Sequence, residues 1–321
     1  MIVLSHPRSG SSELVRILKS RMSLGNSVNY CGCGEAFNLT DPSMYGDTRT
    51  AIRHFRDIAR GAIPPSPITL TLKTLKPGAI VTEDLIPYAF ESLLESSTFT
   101  FNTLQELEKF LAEEMVVRYK SIKNSTVPLV LKHFFITSTL DKGDQSKGLV
   151  LNLLQDSDYM FYYRNNFYGS ILSGLIHDLH VKTKAHNTLS NLGIIQLPSV
   201  PIEINVWYLR EKISPYINFL KFFKEWAATN EVASANVITY DDVFFKMDFN
   251  ILVNSLTLNV NELHVKIANN EFKREERMQY ADKRENFFSN PELIPIEFEQ
   301  YLKDNDLFGV VEQLKIQWKP N

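Results

Sequence analysis

Short apolar runs rich in β-forming residues alternate with longer stretches of helical periodicity, and this alternation constrains the fold more than any other feature. The runs are IVLS at 2–5, VPLVLKHFF at 127–135, DYMFYYR at 158–164 and NVITY at 236–240. Helical patterns are expected at 12–21, 47–62, 82–97, 146–155, 165–176 and 202–229, the last with a bend at Pro215. Ile52, Phe55, Ile58 and Ala59 share one face of the second. Thr103 and Glu106 form a T-x-x-E capping box ahead of a further helix reaching about Ile122. On that helix Leu104, Leu107, Phe110, Leu111 and Met115 share a face. Residues 22–34, IPPSP at 63–67 and 184–201 read as loops. Strands alternating with helices imply an α/β protein: a mostly parallel sheet flanked by helices in a three-layer sandwich. The expected organisation is a single domain over 1–321, interrupted by a mainly helical insertion at 40–125.

The 321 residues are 44% hydrophobic and 22% charged, enough apolar material for a large core. The formal charge of −3 argues against nucleic acid as a partner. No apolar run reaches membrane-spanning length, and the first residues read as a strand rather than a signal peptide. Cys31 and Cys33 are the only cysteines, too few for a disulfide framework or a thiolate zinc site. A cytoplasmic, reduced protein is the expectation. HDLH at 177–180 offers two histidines but no third ligand, and no metal site is expected.

In parallel sheets, ligands gather beyond the carboxyl ends of the strands. Those ends here carry chemistry: Ser5 to Gly10, Lys132-His133, Arg164 and Tyr240-Asp241. The segment HPRSGSS combines Gly10, three serines and one permanent cation. Gly10 lets the backbone approach a ligand closely. Amides at the start of the next helix favour an anion, and Arg8 can fork onto two of its oxygens. The same residues would also serve as a plain strand-to-helix turn capped by serine. The segment lacks the lysine and first glycine of G-x-x-x-x-G-K-[ST], which disfavours a magnesium-dependent NTPase.

PRSGSS at 7–12 resembles the 5′-phosphosulfate loop of sulfotransferases that use 3′-phosphoadenosine 5′-phosphosulfate (PAPS). Three more stretches resemble that family in the same order. YYRNNFYGSILSGL at 162–175 is similar to its 3′-phosphate site, VITYDDV at 237–243 to its Tyr-Glu-Asp strand end, and KRENFFSNPEL at 283–293 to its adenine-side loop. Asp241 stands where glutamate is usual. The resemblance implies that Pro7, Arg8, Ser9, Gly10, Ser11 and Ser12 hold the 5′ group. It also implies that Arg164, with Ser173 or Ser170, holds the 3′-phosphate, and that Tyr240, Lys283 and Arg284 line the nucleotide. The family's usual Arg-to-Ser spacing favours Ser173.

Sulfonate transfer to a hydroxyl or amine needs a base for the acceptor proton and a cation at the leaving oxygen. GCGEAFN at 32–38 resembles the segment carrying a glutamate base in some bacterial sulfotransferases, so Glu35 is the expected base. His133 is the alternative. Arg8 is the expected leaving-group cation and Lys132 a second. The insertion at 40–125 would shape the acceptor cleft; the acceptor class is open. Two other readings stay open: a non-catalytic nucleotide- or anion-binding protein on the same fold, and an atypical P-loop kinase.

Overall fold

The computed structural model describes residues 2–6, 8–11, 14–15, 31–34, 48–82, 90–126, 129–134, 154, 159–182, 200–230, 236–245 and 285–320. At 31–34, 48–50, 91, 129–134, 177–182 and 244–245 only the backbone is described.

A five-stranded sheet organises the α/β fold. Its strands are β1 (Ile2–Ser5), β2 (Cys31–Gly34), β5 (Leu129–Phe134), β6 (Tyr159–Tyr163) and β7 (Val237–Thr239), in the order β2-β5-β1-β6-β7. β2 runs parallel to β5 and β6 parallel to β7. β1 is buried along its whole length, and so is β6 after Tyr159. That is the pattern of strands covered on both faces, and it explains why their sequences are apolar without alternation. β2 corrects an expectation. The segment 22–34 reads as loop because its glycines weaken any strand signal, yet Cys31–Gly34 pairs with β5. Parallel pairing supplies what local propensity lacks.

A second sheet is an antiparallel pair, β3 (Ile68–Leu75) with β4 (Leu94–Phe101). This overturns the helix expected over 82–97, at least for Leu94–Ser97, which are strand. Leu85, Ile86, Leu93 and Leu94 have helical spacing, but β3 offers a complete edge. In register, Thr69 and Thr71 meet Thr100 and Thr98, with hydroxyl oxygens 2.9 and 3.4 Å apart.

α1 (Thr48–Ala59) and α2 (Leu104–Lys123) pack on this pair. Their shared core joins Ala51, Ile52 and Phe55 to Leu70, Leu72 and Phe101, and to Leu107, Leu111 and Met115. Ile58, Leu104 and Phe110 pack at its margin, whereas Ala59 is exposed. The capping box forms in modified shape. The Glu106 amide donates to Thr103 Oγ1, while the Glu106 carboxylate accepts from the amide of Asn102. Beneath the core, Glu114 Oε1 accepts from the Leu75 amide and from Arg118 Nε, both at 2.8 Å. Arg118 also donates to the Lys73 carbonyl.

The remaining helices are α3 (Phe167–Lys182), α4 (Val206–Thr229), α5 (Leu293–Asp304) and α6 (Phe308–Gln313). α4 runs uninterrupted through Pro215, so the carbonyl one turn earlier loses its helical donor. Its aromatic face is core, as the spacing of YINFLKFFKEW implies: Tyr216, Phe219, Phe222 and Phe223 are buried. Phe219 and Phe223 meet the Phe161 ring of β6, Phe223 edge-on at 5.0 Å. Among the described residues, no helix is long and apolar enough to cross a membrane.

The chain divides into two compact units. One comprises Met1–Leu4, Ser12–His133 and Thr137–Met160; the other comprises Ser5–Ser11, Phe134–Ile136 and Phe161–Asn321.

Candidate anion site

The second unit carries the loop after β1 and the turn after β6. Arg8 takes a left-handed backbone (φ 62°) and is exposed, whereas Ser9 and Ser11 are buried. The Ser11 amide donates to Ser9 Oγ at 3.3 Å. Ser9 thus gives the Ser11 amide an acceptor within the loop. Gly10 has φ 81°. A Cβ there would lie 2.7 Å from the Tyr240 ring and 3.7 Å from the Tyr162 hydroxyl. Glycine at this position is therefore required by the protein's own packing, independently of any ligand.

Tyr240 has Gly10 against its ring edge, while the Arg164 guanidinium stands 4.8 Å from the ring centroid. This cation–π contact holds the arginine beside the loop. Arg164 is further fixed through its backbone: its amide donates to His6 Nε2 at 3.0 Å. His6 is fully buried, its ring 4.6 Å from Phe167 and 4.7 Å from Tyr216.

The turn after β6 is locked from both sides. Asn166 Oδ1 accepts from the Gly169 amide at 2.6 Å, which caps α3. The Cβ of any other residue at 169 would meet that Asn166 side chain at 3.0 Å. From the C-terminus, the Gln317 amide donates to the Asn165 carbonyl, and the Phe167 amide donates to the Gln317 carbonyl. The Tyr163 hydroxyl donates to the Leu314 carbonyl at 2.9 Å.

α3 starts beyond this turn. Ser170 is fully buried and donates to the Asn166 carbonyl, so its hydroxyl serves the helix itself. Ser173, one turn on, is half-buried. The next residue, Gly174, faces Arg8: a Cβ there would come 3.9 Å from Arg8 Cγ. The Arg8 side chain therefore passes α3 at Gly174.

Burial pushes the Tyr216 phenol up, and Arg8 and Arg164 both pull it back down. Tyr162 is raised well above the ordinary phenol range by burial first and by Tyr240 next, with Arg164 opposing. Its hydroxyl lies near Gly10 and is buried without a hydrogen-bond partner among the described residues. The same holds of the buried Ser5 hydroxyl at the end of β1.

Of the residues the sequence singles out, Arg8, Ser9, Gly10, Ser11, Arg164, Ser173 and Tyr240 are described, and all belong to this unit. Pro7, Ser12, Glu35, Lys283 and Arg284 lie outside the described residues, as do the side chains of Lys132, His133, His177 and His180. Lys132 and His133 fall within β5, the strand next to β1 in the sheet order. The residue after Arg284, Glu285, shares a hydrogen bond with Tyr168 on α3 that helps raise the Tyr168 phenol, after burial. Asn290, in the stretch expected near adenine, pairs instead with Ile204: its Oδ1 accepts from the Ile204 amide and its Nδ2 donates to the Ile204 carbonyl.

Sequence reading assigned no site role to His6, Tyr162 and Tyr216. His6 abuts the loop and Tyr162 is two residues before Arg164, so proximity to the motifs was the available signal. Tyr216 gave none, because it is one aromatic among many.

No protein-family model matches the chain, and no curated protein matches it. Among solved structures the chain is similar to the sulfotransferase domain from the curacin biosynthetic pathway. The identity is 14%, the TM-score 0.38, and the likeness covers 99% of this chain and 98% of that one.

Proposed function

We propose that the protein is a PAPS-dependent sulfotransferase acting on a hydroxyl or amine acceptor. The observation that carries this reading is the Tyr240 ring, which abuts Gly10 of the Arg8 loop after β1 and has the Arg164 guanidinium from the end of β6 4.8 Å from its centroid. Two permanent cations held this way suit a ligand with two separate anionic groups. A nucleotide phosphorylated at both 3′ and 5′ positions meets that requirement. The fit is supported by two features of the chain: the Tyr162 hydroxyl near Gly10, buried without a hydrogen-bond partner among the described residues, and the Arg8 stem passing α3 at Gly174.

When bound, PAPS would supply the activated sulfonate. The chain's own residues do the rest. Arg8 neutralises charge at the 5′ side and stabilises the leaving oxygen. Arg164 and Ser173 bind the 3′-phosphate with charge-assisted hydrogen bonds. Tyr240 keeps Arg164 oriented. Glu35 takes the acceptor proton, with His133 the competing base and Lys132 a further cation. Residues 40–125 shape the acceptor cleft.

Thermal shift with adenosine 3′,5′-bisphosphate, AMP and ATP tests the reading. Selective stabilisation by the 3′-phosphorylated nucleotide is expected. Equal stabilisation by ATP would favour a kinase, and nucleotide binding without transfer to any acceptor would favour a binding protein. Arg164→Ala should weaken the bisphosphate about tenfold or more, the worth of one charge-assisted contact. With a working acceptor, Glu35→Gln should lower turnover by about 10²–10⁴-fold at near-normal nucleotide affinity. His133→Gln should cost far less; the reverse ranking assigns the proton to His133.

A further inference from the structure

His6 immediately precedes the loop, and Arg164 immediately follows β6. The hydrogen bond between them ties together the two chain ends that carry the site's cations. An imidazole nitrogen accepts a hydrogen bond only when it is unprotonated. With Nε2 accepting from the Arg164 amide, the ring is neutral and carries its proton on Nδ1. The ring's packing against Phe167, Tyr216 and Phe219 leaves it little room to turn and offer another face. Among the described residues, the charged and titratable groups next to it are Arg164 beyond β6 and Tyr216 on α4, with Phe167 of α3 and Phe219 of α4 completing the ring contacts. A proton on Nε2 would remove the acceptor for the Arg164 amide and add a cation next to Arg164.

We propose that His6 is a positioning residue for Arg164: its neutral ring fixes the strand end from which the guanidinium projects, and protonation of the ring releases it. This rests on the reading of Arg164 as a phosphate-binding residue, yet it is measurable without that reading. Nucleotide affinity should fall as the pH is lowered from about 8 to about 4.5, because charging a buried imidazole beside an arginine takes more acid than charging a free one.

Two variants separate positioning from packing. His6→Phe keeps an aromatic ring and removes the acceptor. His6→Gln supplies an amide oxygen near the Nε2 position and cannot titrate. The readouts are affinity for adenosine 3′,5′-bisphosphate across that pH range and hydrogen exchange at the Arg164 amide. His6→Phe should bind about tenfold more weakly at pH 8 and exchange the Arg164 amide about tenfold faster. His6→Gln should retain near-normal affinity at pH 8 and lose the part of the pH dependence that exceeds the ligand's own phosphate titration. That titration is common to all the proteins and cancels in the ratio of affinities.

Wild-type affinity and amide protection in His6→Phe would overturn the proposal. Should His6→Phe not fold, an unaltered pH profile in His6→Gln would overturn it equally. If the wild-type protein binds no bisphosphate, the sulfotransferase reading falls. The pH dependence of the Arg164 amide's protection factor, which divides out the intrinsic base catalysis of exchange, should be present in wild type and absent in His6→Gln, and it then decides the role of His6 by itself.

Discussion

Arg8 holds a backbone conformation that glycine adopts freely and arginine does not, with φ at 62°. For a residue with a Cβ this costs about 1–2 kcal/mol. Such strain persists where surrounding structure fixes it, and it clusters at ligand sites. Arg8→Gly should therefore leave the melting temperature unchanged or higher while abolishing most of the stabilisation by the bisphosphate. Arg8→Ala should lose the same ligand effect without the gain in stability. Thermal melts with and without nucleotide distinguish the two. At Gly10 the consequence runs the other way. Gly10→Ala should destabilise by about 1–3 kcal/mol, because its methyl meets the Tyr240 ring at 2.7 Å. In a Tyr240→Ala background the cost should shrink toward that of the left-handed backbone alone. Denaturant melts of the four proteins in this cycle measure the difference.

At the scale of elements, the pair β3–β4 depends on a buried charge. Arg118 is fully buried and Glu114 nearly so, and between them they satisfy the Leu75 amide and the Lys73 carbonyl at the end of β3. Glu114→Ala removes the carboxylate 2.8 Å from the buried guanidinium and should cost about 3–5 kcal/mol. Replacing both residues with apolar ones of similar size should cost considerably less, as judged by urea unfolding. α3 tells a parallel story on a smaller scale. Asn166 closes its first turn, and Asn166→Ala should destabilise by about 1 kcal/mol. The N-x-x-G spacing that makes this cap possible is visible in the sequence. The burial of Arg118 is not, because a basic residue on an amphipathic helix reads as solvent-facing until the strand it reaches is known.

At the scale of the whole molecule, the last residues close the turn that bears Arg164. Ending the chain after Gln313 removes the Leu314 acceptor for Tyr163 and the Gln317 bonds to Asn165 and Phe167. The truncated protein should melt at a lower temperature and lose nucleotide affinity together, since one turn supports both. The sequence alone determined the α/β alternation, the strands β1 and β6, the aromatic core face of α4 and which residues follow the strand ends. These follow from periodicity and from apolar runs, which are local properties. Only the tertiary structure decided that Cys31–Gly34 and Leu94–Phe101 are strands, that Gly10 answers to Tyr240, and that His6 reaches the amide of Arg164. A strand with weak propensity forms because a partner edge completes its hydrogen bonds. A histidine acquires its role from a chain segment 158 residues away. Neither partner is marked in the local pattern of the residues that depend on it.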